Sequence, residues 1–244
     1  MSSLTKRFNA PLPEWLFELK QAFFVKIWHS KLMQDCKSGD RKAMETLMIR
    51  YWPFVDEFPQ IIRNHQLRIF AREFLRHPVG TLFLLNNIVK TLGEIKGDEK
   101  DHRSLWIDTS SALKISEDGL YSNQYLMNPD ARFLVQDIID KVGEPVNILG
   151  DKILSSTALL RLSAVEIVAE GISLYVGHVF KDLDKKAERW FLVHAHHPKG
   201  VISHEELVYR MAFALDGKVP EKDEVNKIIG EVVDLFIEAG NMPY

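Results

Sequence analysis

The segment RWFLVHAHHPKGVISHEELV carries four of the nine histidines of this chain: His194, His196, His197 and His204. On a helix, His194 and His197 are three residues apart and project from the same side. Pro198 is poorly tolerated inside a helix, so the helix is expected to end there and His204 to begin the next one. Such a group suits a metal site, an acid-base site, or a helix end where protonated histidine interacts with the helix dipole.

Two carboxylates lie one helical turn apart in the segment LSAVEIVAEG. Glu166 and Glu170 have i,i+4 spacing and share one helix face. Their neighbours are apolar, so at least one carboxylate is expected to point inward, where it needs a partner or a metal ion. The alternative is a solvated edge on which both carboxylates face Lys or Arg. Carboxylates and histidines on facing helices commonly build metal sites, and this combination suits iron, manganese or zinc.

A third group of polar residues occurs in LGEIKGDEKDHRSLW, where Glu94 and His102 flank a glycine-containing turn. Taken alone, such a charge-rich loop is typical of solvated surface. The sequence contains no glycine-rich phosphate-binding motif, no nucleophile elbow and no H-E-x-x-H motif. Its single cysteine, Cys36, excludes an internal disulfide and any zinc site built from cysteines.

Charge and hydropathy narrow the classes of partner. The formal net charge is -3 and the pI is about 6.3, so no basic field favours nucleic acid. No apolar run approaches the roughly 20 residues that cross a bilayer, so no transmembrane segment is predicted. These features, together with the single cysteine, predict a cytoplasmic protein.

Helical periodicity dominates the chain, and no convincing period-2 stretch indicates a strand. The 244 residues allow one large domain, and no linker divides them. We therefore predict an all-α protein with a single domain at 1–244, seven to nine helices, and a flexible N terminus at 1–14.

Several element boundaries follow from local signals. Pro53 and Pro59 predict a kink or a stop within YWPFVDEFPQII. The segment SEDGLYSNQYLMNPD is predicted to be a long loop, after which Asn128 caps a helix. The longest helix is predicted at about residues 151–180.

Four segments occur in the order used by the heme-oxygenase-like helical proteins: YWPFVDEFPQII, NNIVKTLGE with HRSLW, AVEIVAEG, and WFLVHAHH. That superfamily includes the pyrroloquinoline-quinone synthase C type, the thiaminase-II type and the chlamydial death-domain-associating (CADD) proteins. Over roughly residues 40–215 the chain looks most like the CADD-like proteins and their non-heme di-iron oxidase and oxygenase relatives. The resemblance implies a single heme-oxygenase-like helical bundle.

The same resemblance implies a set of metal ligands. Di-iron members use a Glu followed by a His in an H-x-x-L context. His102 in HRSL matches that His, and Glu94 is the acid nearest to the expected Glu position, which falls near Thr91. A second Glu in the middle of a helix matches Glu166. The first histidine of the last ligand-bearing helix matches His194.

The remaining ligand positions depart from the family pattern. The expected Asp falls on Pro198 and the expected His falls on Val201. Either a small insertion moves these ligands to His197 and His204, or the second metal position is lost.

Other members of the superfamily imply other chemistry. The thiaminase-II type resembles a hydrolase with a cysteine nucleophile in its later half, and no cysteine follows Cys36. The quinone-synthase type binds an organic acid in a basic, histidine-rich pocket without metal, a role that the histidine cluster also suits.

The leading functional hypothesis is an oxidase or oxygenase that activates O₂ at one or two non-heme iron ions and acts on a small organic, fatty-acyl substrate. The fatty-acyl part rests on the fold class alone. The alternative is a metal-free or degenerate member of the same fold that binds a small molecule or acts as a protein-interaction module. A homodimer is a further prediction.

Overall fold

The computed structural model describes residues 7–76, 102–144, 155–195, 203–216 and 219–243. The first helices in chain order are α1 (Glu14–Trp28), α2 (Lys31–Lys37), α3 (Arg41–Arg76), α4 (residues 102–112) and α5 (Glu117–Ser122). A 3₁₀ turn (Asn123–Leu126) leads to α6 (Pro129–Gly143), α7 (Ser155–Lys181), α8 (Arg189–Ala195), α9 (His204–Asp216) and α10 (Lys222–Asn241). These ranges contain no strand, which confirms the all-α prediction, and they contain more helices than the seven to nine predicted.

Helix α7 is the central element of the bundle. It packs against α1, α2, α6, α8, α9 and α10. Apolar residues surround it on more than one side, and Leu159, Ala164 and Ile167 are fully buried. A helix that is apolar around most of its circumference is stable only inside a core. A carboxylate on this helix, such as that of Glu166, is therefore drawn into the interior with it.

Helix α3 corrects one boundary prediction. A kink or a stop was predicted at Pro53 and Pro59, and the helix does not stop but runs through both prolines. It is longer than α7, so the prediction that the longest helix lies at about residues 151–180 is wrong. Each proline removes a backbone donor at a cost of about 3 kcal/mol or more. Buried aromatic residues lie on both sides of Pro53, including Trp52 and Phe54. Their packing offsets that cost, because tertiary burial contributes more to helix stability than local propensity.

The prediction of a long loop between α4 and α6 is also wrong. Helix α5 and the 3₁₀ turn occupy it, and the side chain of Ser116 accepts a hydrogen bond from the backbone N–H of Gly119 at the start of α5. Leu120 of this short helix is fully buried, and its packing in the core stabilises the helix. The Asn128 cap is confirmed, since Asn128 Oδ1 accepts hydrogen bonds from the N–H groups of Asp130 and Ala131.

Close packing sets the position of α8 against α7. A Cβ atom on Gly177 would lie 2.9 Å from Cβ of Phe191, so only glycine allows this approach. Phe191 also packs on Phe180, with ring centroids 4.5 Å apart. The residue directly before Phe191 is Trp190, whose ring packs edge-on against Trp106 of α4, with ring centroids 4.7 Å apart. None of the helices in the described ranges is long and apolar enough to cross a membrane.

Candidate functional site

A polar cavity of ≈ 540 Å³ lies between α4, α7, α8 and the first turn of α9. Its described lining consists of His102, Ser104, Leu105, Asp108, Glu166, Glu170, Arg189, Val193, His194, His204 and Glu205. Four of the six residues predicted as metal ligands are in this set: His102, Glu166, His194 and His204. The other two, Glu94 and His197, lie outside the described residues.

His194 is held in a defined orientation in the cavity wall. Its Nδ1 atom lies 2.8 Å from the backbone oxygen of Trp190, and its ring lies 4.2 Å from the Trp190 ring. The carbonyl can only accept, so Nδ1 carries the proton and Nε2 of the neutral ring is an acceptor. The ring of His102 lies 4.5 Å from that of His194. This arrangement is typical of a general base or of a metal ligand oriented through its second nitrogen.

Glu166 and His204 face each other across the cavity from two helices. Glu166 comes from the middle of α7 and is 8% exposed, whereas His204 is the first residue of α9. Glu166 Oε2 lies 3.7 Å from His204 Nδ1, which makes an ion pair when the imidazole is protonated. The prediction that at least one carboxylate of α7 points inward is therefore confirmed for Glu166.

The second carboxylate of that pair belongs to a buried charge group that we call the Lys20 cluster, formed by Lys20, Glu170 and Glu205. Lys20 Nζ lies 2.6 Å from Glu170 Oε2 and 2.5 Å from Glu205 Oε1. Burial by itself lowers the pKa of Lys20, but attraction to the two carboxylates outweighs this effect and raises it. Burial likewise raises the pKa of Glu205, yet Lys20 holds that pKa below its usual range.

Burial and neighbouring charges also act on the pKa of Glu170, but their net result is opposite to that for Glu205. Burial raises the pKa of the Glu170 carboxyl, and the contact with Lys20 offsets only part of that rise. Repulsion from the neighbouring Glu205 and Glu166 acts in the same direction as burial. The pKa of Glu170 is therefore raised, whereas that of Glu205 is lowered.

An apolar chamber of ≈ 50 Å³ adjoins the polar cavity on the core side. Its lining is almost entirely aromatic and aliphatic: Tyr51, Phe54, Val55, Phe58, Trp106, Val165, Val168, Ala169, Ile172, Trp190 and Phe236, together with Glu166 and His194. Glu166 and His194 thus line both spaces and form the boundary between them. A molecule bound across this boundary would place a polar group against these two side chains and an apolar group in the chamber.

The donors of the cavity match iron in chemistry but not in spacing. Imidazole and carboxylate are suitable iron ligands. Among the described residues, however, no three His, Cys, Asp or Glu side chains are placed to hold one metal ion. The described part of the site therefore does not form a ready metal centre.

Sequence reasoning missed Lys20 and Glu205, along with Asp108 and Arg189 of the cavity wall. Lys20 follows the buried Leu19 and precedes the buried Phe23 and Phe24, so its place on the inner face of α1 was a usable signal. Glu205 directly follows His204 in SHEELV, in the first turn of a helix. Neither signal identifies its partner, because the contact joins residues 185 positions apart.

Comparisons with known proteins identify the fold of this chain but not its family. No family model matches the chain, and no curated protein matches it. Among solved structures, the crystal structure of a TenA homologue from Pseudomonas syringae pv. tomato strain DC3000 aligns with a TM-score of 0.69, covering 98% of this chain and 97% of that one. This chain has the all-helical, heme-oxygenase-like fold of that TenA homologue. Sequence identity is 17%, so the likeness is one of fold.

Within this TenA-like fold the single cysteine lies away from the polar cavity. Cys36 is on α2, is fully buried and does not belong to the described lining of the cavity. Burial raises the pKa of its thiol to about 12, and repulsion from Asp35 and Asp40 adds to the rise. A thiol in that state is a poor nucleophile.

Proposed function

We propose that this chain binds a small organic molecule with a cationic nitrogen head group and an apolar body, and that the polar cavity transfers a proton to or from that head group. The observation that carries the proposal is the shared boundary at Glu166 and His194, where a polar and an apolar space meet. Binding sites of this kind combine a mostly apolar enclosure with a few polar groups that fix the orientation of the ligand.

Charge favours a cation over an anion. The described lining contains four carboxylates, those of Asp108, Glu166, Glu170 and Glu205, against one guanidinium, that of Arg189. Lys20 offsets part of this excess. With neutral histidines the described lining remains negative, and a negative cleft with low-dielectric walls concentrates cations.

Proton transfer is the chemistry that the described side chains perform without a further group. Histidine titrates near neutral pH, and three histidines line this cavity: His102, His194 and His204. Nε2 of His194 accepts a proton from a bound head group, while Glu166 stabilises positive charge beside it. The apolar chamber excludes water from that side, which strengthens both interactions.

The test compares three molecules with the same ring and different head groups: benzylamine, benzyl alcohol and benzoate. Calorimetric titration at pH 7.5 is expected to give the order benzylamine, then benzyl alcohol, then benzoate, from tightest to weakest. Glu166→Gln should weaken benzylamine binding roughly tenfold, because a charge-assisted hydrogen bond is lost. Glu231→Gln is the matched control, since Glu231 pairs with Lys141 on the outside of the bundle. Benzoate binding more tightly than benzylamine contradicts the proposal.

A second candidate function is O₂ activation at non-heme iron on a small organic substrate. Two observations favour it: four of the six predicted ligands line one cavity, and His194 is oriented through Nδ1. Iron would be held by His102, Glu166, His194 and His204 with Glu94 or His197, and it would supply O₂ binding and electron transfer. The spacing of the described donors requires either side-chain movement or a ligand outside the described residues.

Metal content decides between the two candidates. Protein purified with added Fe(II) should retain about one iron per chain under the second candidate and change its absorbance on exposure to O₂. Glu166→Ala should abolish that binding. A value below about 0.2 iron per chain rules out the iron candidate and leaves the first proposal in place.

A further inference from the structure

The Lys20 cluster joins three helices at the edge of the polar cavity. Lys20 comes from α1, Glu170 from α7 and Glu205 from the first turn of α9. All three side chains are largely buried, with 13%, 14% and 6% of the side-chain surface exposed. Both carboxylates line the cavity, and the Lys20 ammonium contacts both of them.

Two carboxylates that contact the same nitrogen converge on one point. Carboxylate oxygens arranged in this way bind divalent cations when no other positive charge is present. Glu166 lies one turn before Glu170 on the same helix face, and His204 is adjacent to Glu205. Among the described residues, Glu170 and Glu205 are the carboxylates that contact the Lys20 ammonium.

We propose that Lys20 sets the cation selectivity of the polar cavity, because its ammonium fills the space between Glu170 and Glu205 that a divalent metal ion would otherwise take. Lys20 acts through the two carboxylates and is a positioning residue. A cationic ligand is thereby confined to the part of the cavity lined by His102, His194, Glu166 and His204. This last consequence rests on the proposed function, whereas the effect on metal ions does not.

The experiment is calorimetric titration of the full chain with MnCl₂ at pH 7.5. Lys20→Met is expected to gain roughly tenfold or more in Mn²⁺ affinity over the wild type, or one additional Mn²⁺ per chain. Lys20→Arg keeps the charge and should show no gain. In the double variant Lys20→Met/Glu205→Gln the gain should disappear. Lys26→Met is the matched control, because Lys26 lies on the same helix in an exposed pair with Asp234.

Circular dichroism establishes that each variant is folded. If Lys20→Met does not fold, Lys20→Gln replaces it, since its amide still donates to a carboxylate without carrying charge, and the same gain is expected. Folded variants without Lys20 that bind Mn²⁺ no better than the wild type overturn the proposal. Wild-type Mn²⁺ binding that Glu170→Gln abolishes also overturns it. Failure of benzylamine to bind leaves the Mn²⁺ result intact, so the two proposals fail separately.

Discussion

Two buried charges in the described part of the chain, Glu205 and Arg50, contact groups that offset the cost of their burial. Lys20 does so for Glu205, and Arg50 shows the same principle away from the cavity. The Arg50 guanidinium donates hydrogen bonds to the backbone oxygens of Ala239, Met242 and Pro243. The last carbonyls of a helix have no partner within the helix, so Arg50 satisfies the end of α10 and interacts favourably with its dipole.

Replacing Arg50 with Met should lower the free energy of unfolding by about 2–4 kcal/mol, because buried carbonyls lose charged donors while the aliphatic volume is kept. Urea denaturation followed by tryptophan fluorescence measures the change. Lys26→Met removes an exposed ion pair and should cost less than about 1 kcal/mol. Equal losses in the two variants would show that Arg50 contributes no more than a surface charge.

Residue types and spacing were sufficient to nominate Glu166 and His194, because imidazoles and carboxylates at helical spacing are rare in an otherwise apolar pattern, whereas His102 was nominated through the family resemblance. They were not sufficient to find Lys20. A lysine on a helix is usually solvated, and its burial here depends on two carboxylates that only the tertiary fold brings to it.

At the scale of elements, the cavity depends on how closely α8 approaches α7. Gly177 permits contact with Phe191, and His194 lies one turn further along the same short helix. The Cβ of Phe191 is not a flexible end and cannot move without its backbone. A change at Gly177 therefore displaces α8 and the imidazole that it carries.

Gly177→Ala should reduce the free energy of unfolding by about 1–3 kcal/mol through overpacking, and it should weaken benzylamine binding as His194 shifts. Gly230→Ala is the matched control, because its new methyl group would meet Phe23 at 3.7 Å, an ordinary contact, and alanine favours the helix. The control should be neutral or slightly stabilising. Denaturation and calorimetry on both variants check the pair, and an unchanged Gly177→Ala contradicts the packing account.

The sequence predicted helix boundaries correctly where the residue that indicates the boundary also makes the stabilising contact. The Asn128 side chain caps α6 directly, so the cap could be read from sequence. Pro53 and Pro59 misled because their local cost is outweighed by burial of their neighbours on α3, which no local signal records. Helix α5 was missed for the same reason, since burial of Leu120 stabilises a segment whose composition is typical of a loop.

At the scale of the whole molecule, buried protonated groups determine the response to alkali. Burial raises the pKa of Tyr51 and Tyr209, and the carboxylates of its cluster raise that of Lys20. A group whose folded pKa lies above its unfolded value contributes stability that is complete below the unfolded pKa. That contribution is lost as the pH rises toward the folded pKa.

The free energy of unfolding should therefore fall as the pH rises above about 10, by up to about 1.4 kcal/mol per pH unit for each group. Tyr209→Phe removes one such group and should make the fall shallower. Urea denaturation at pH 9, 10 and 11 measures both slopes. Parallel slopes for the wild type and Tyr209→Phe would show that ionisation of Tyr209 is not linked to folding.

The fold is shared with a TenA homologue along nearly the full length of both chains, although sequence identity is low. Helical periodicity and the order of four segments were enough to predict that fold. Neither feature fixes chemistry, because the same bundle accommodates different side chains in its cavity. The homodimer, the cytoplasmic location and all six iron ligands remain predictions from sequence.

The most direct test of the central claim is NMR of protein labelled with ¹⁵N in its histidine rings and titrated with benzylamine. Ring resonances of His102, His194 and His204 should shift in a saturable manner, since these rings line the polar cavity. Those of the exposed His29 and His178 should not move. Unchanged resonances for the three cavity histidines, or shifts confined to His29 and His178, would contradict the assignment of the polar cavity as the binding site.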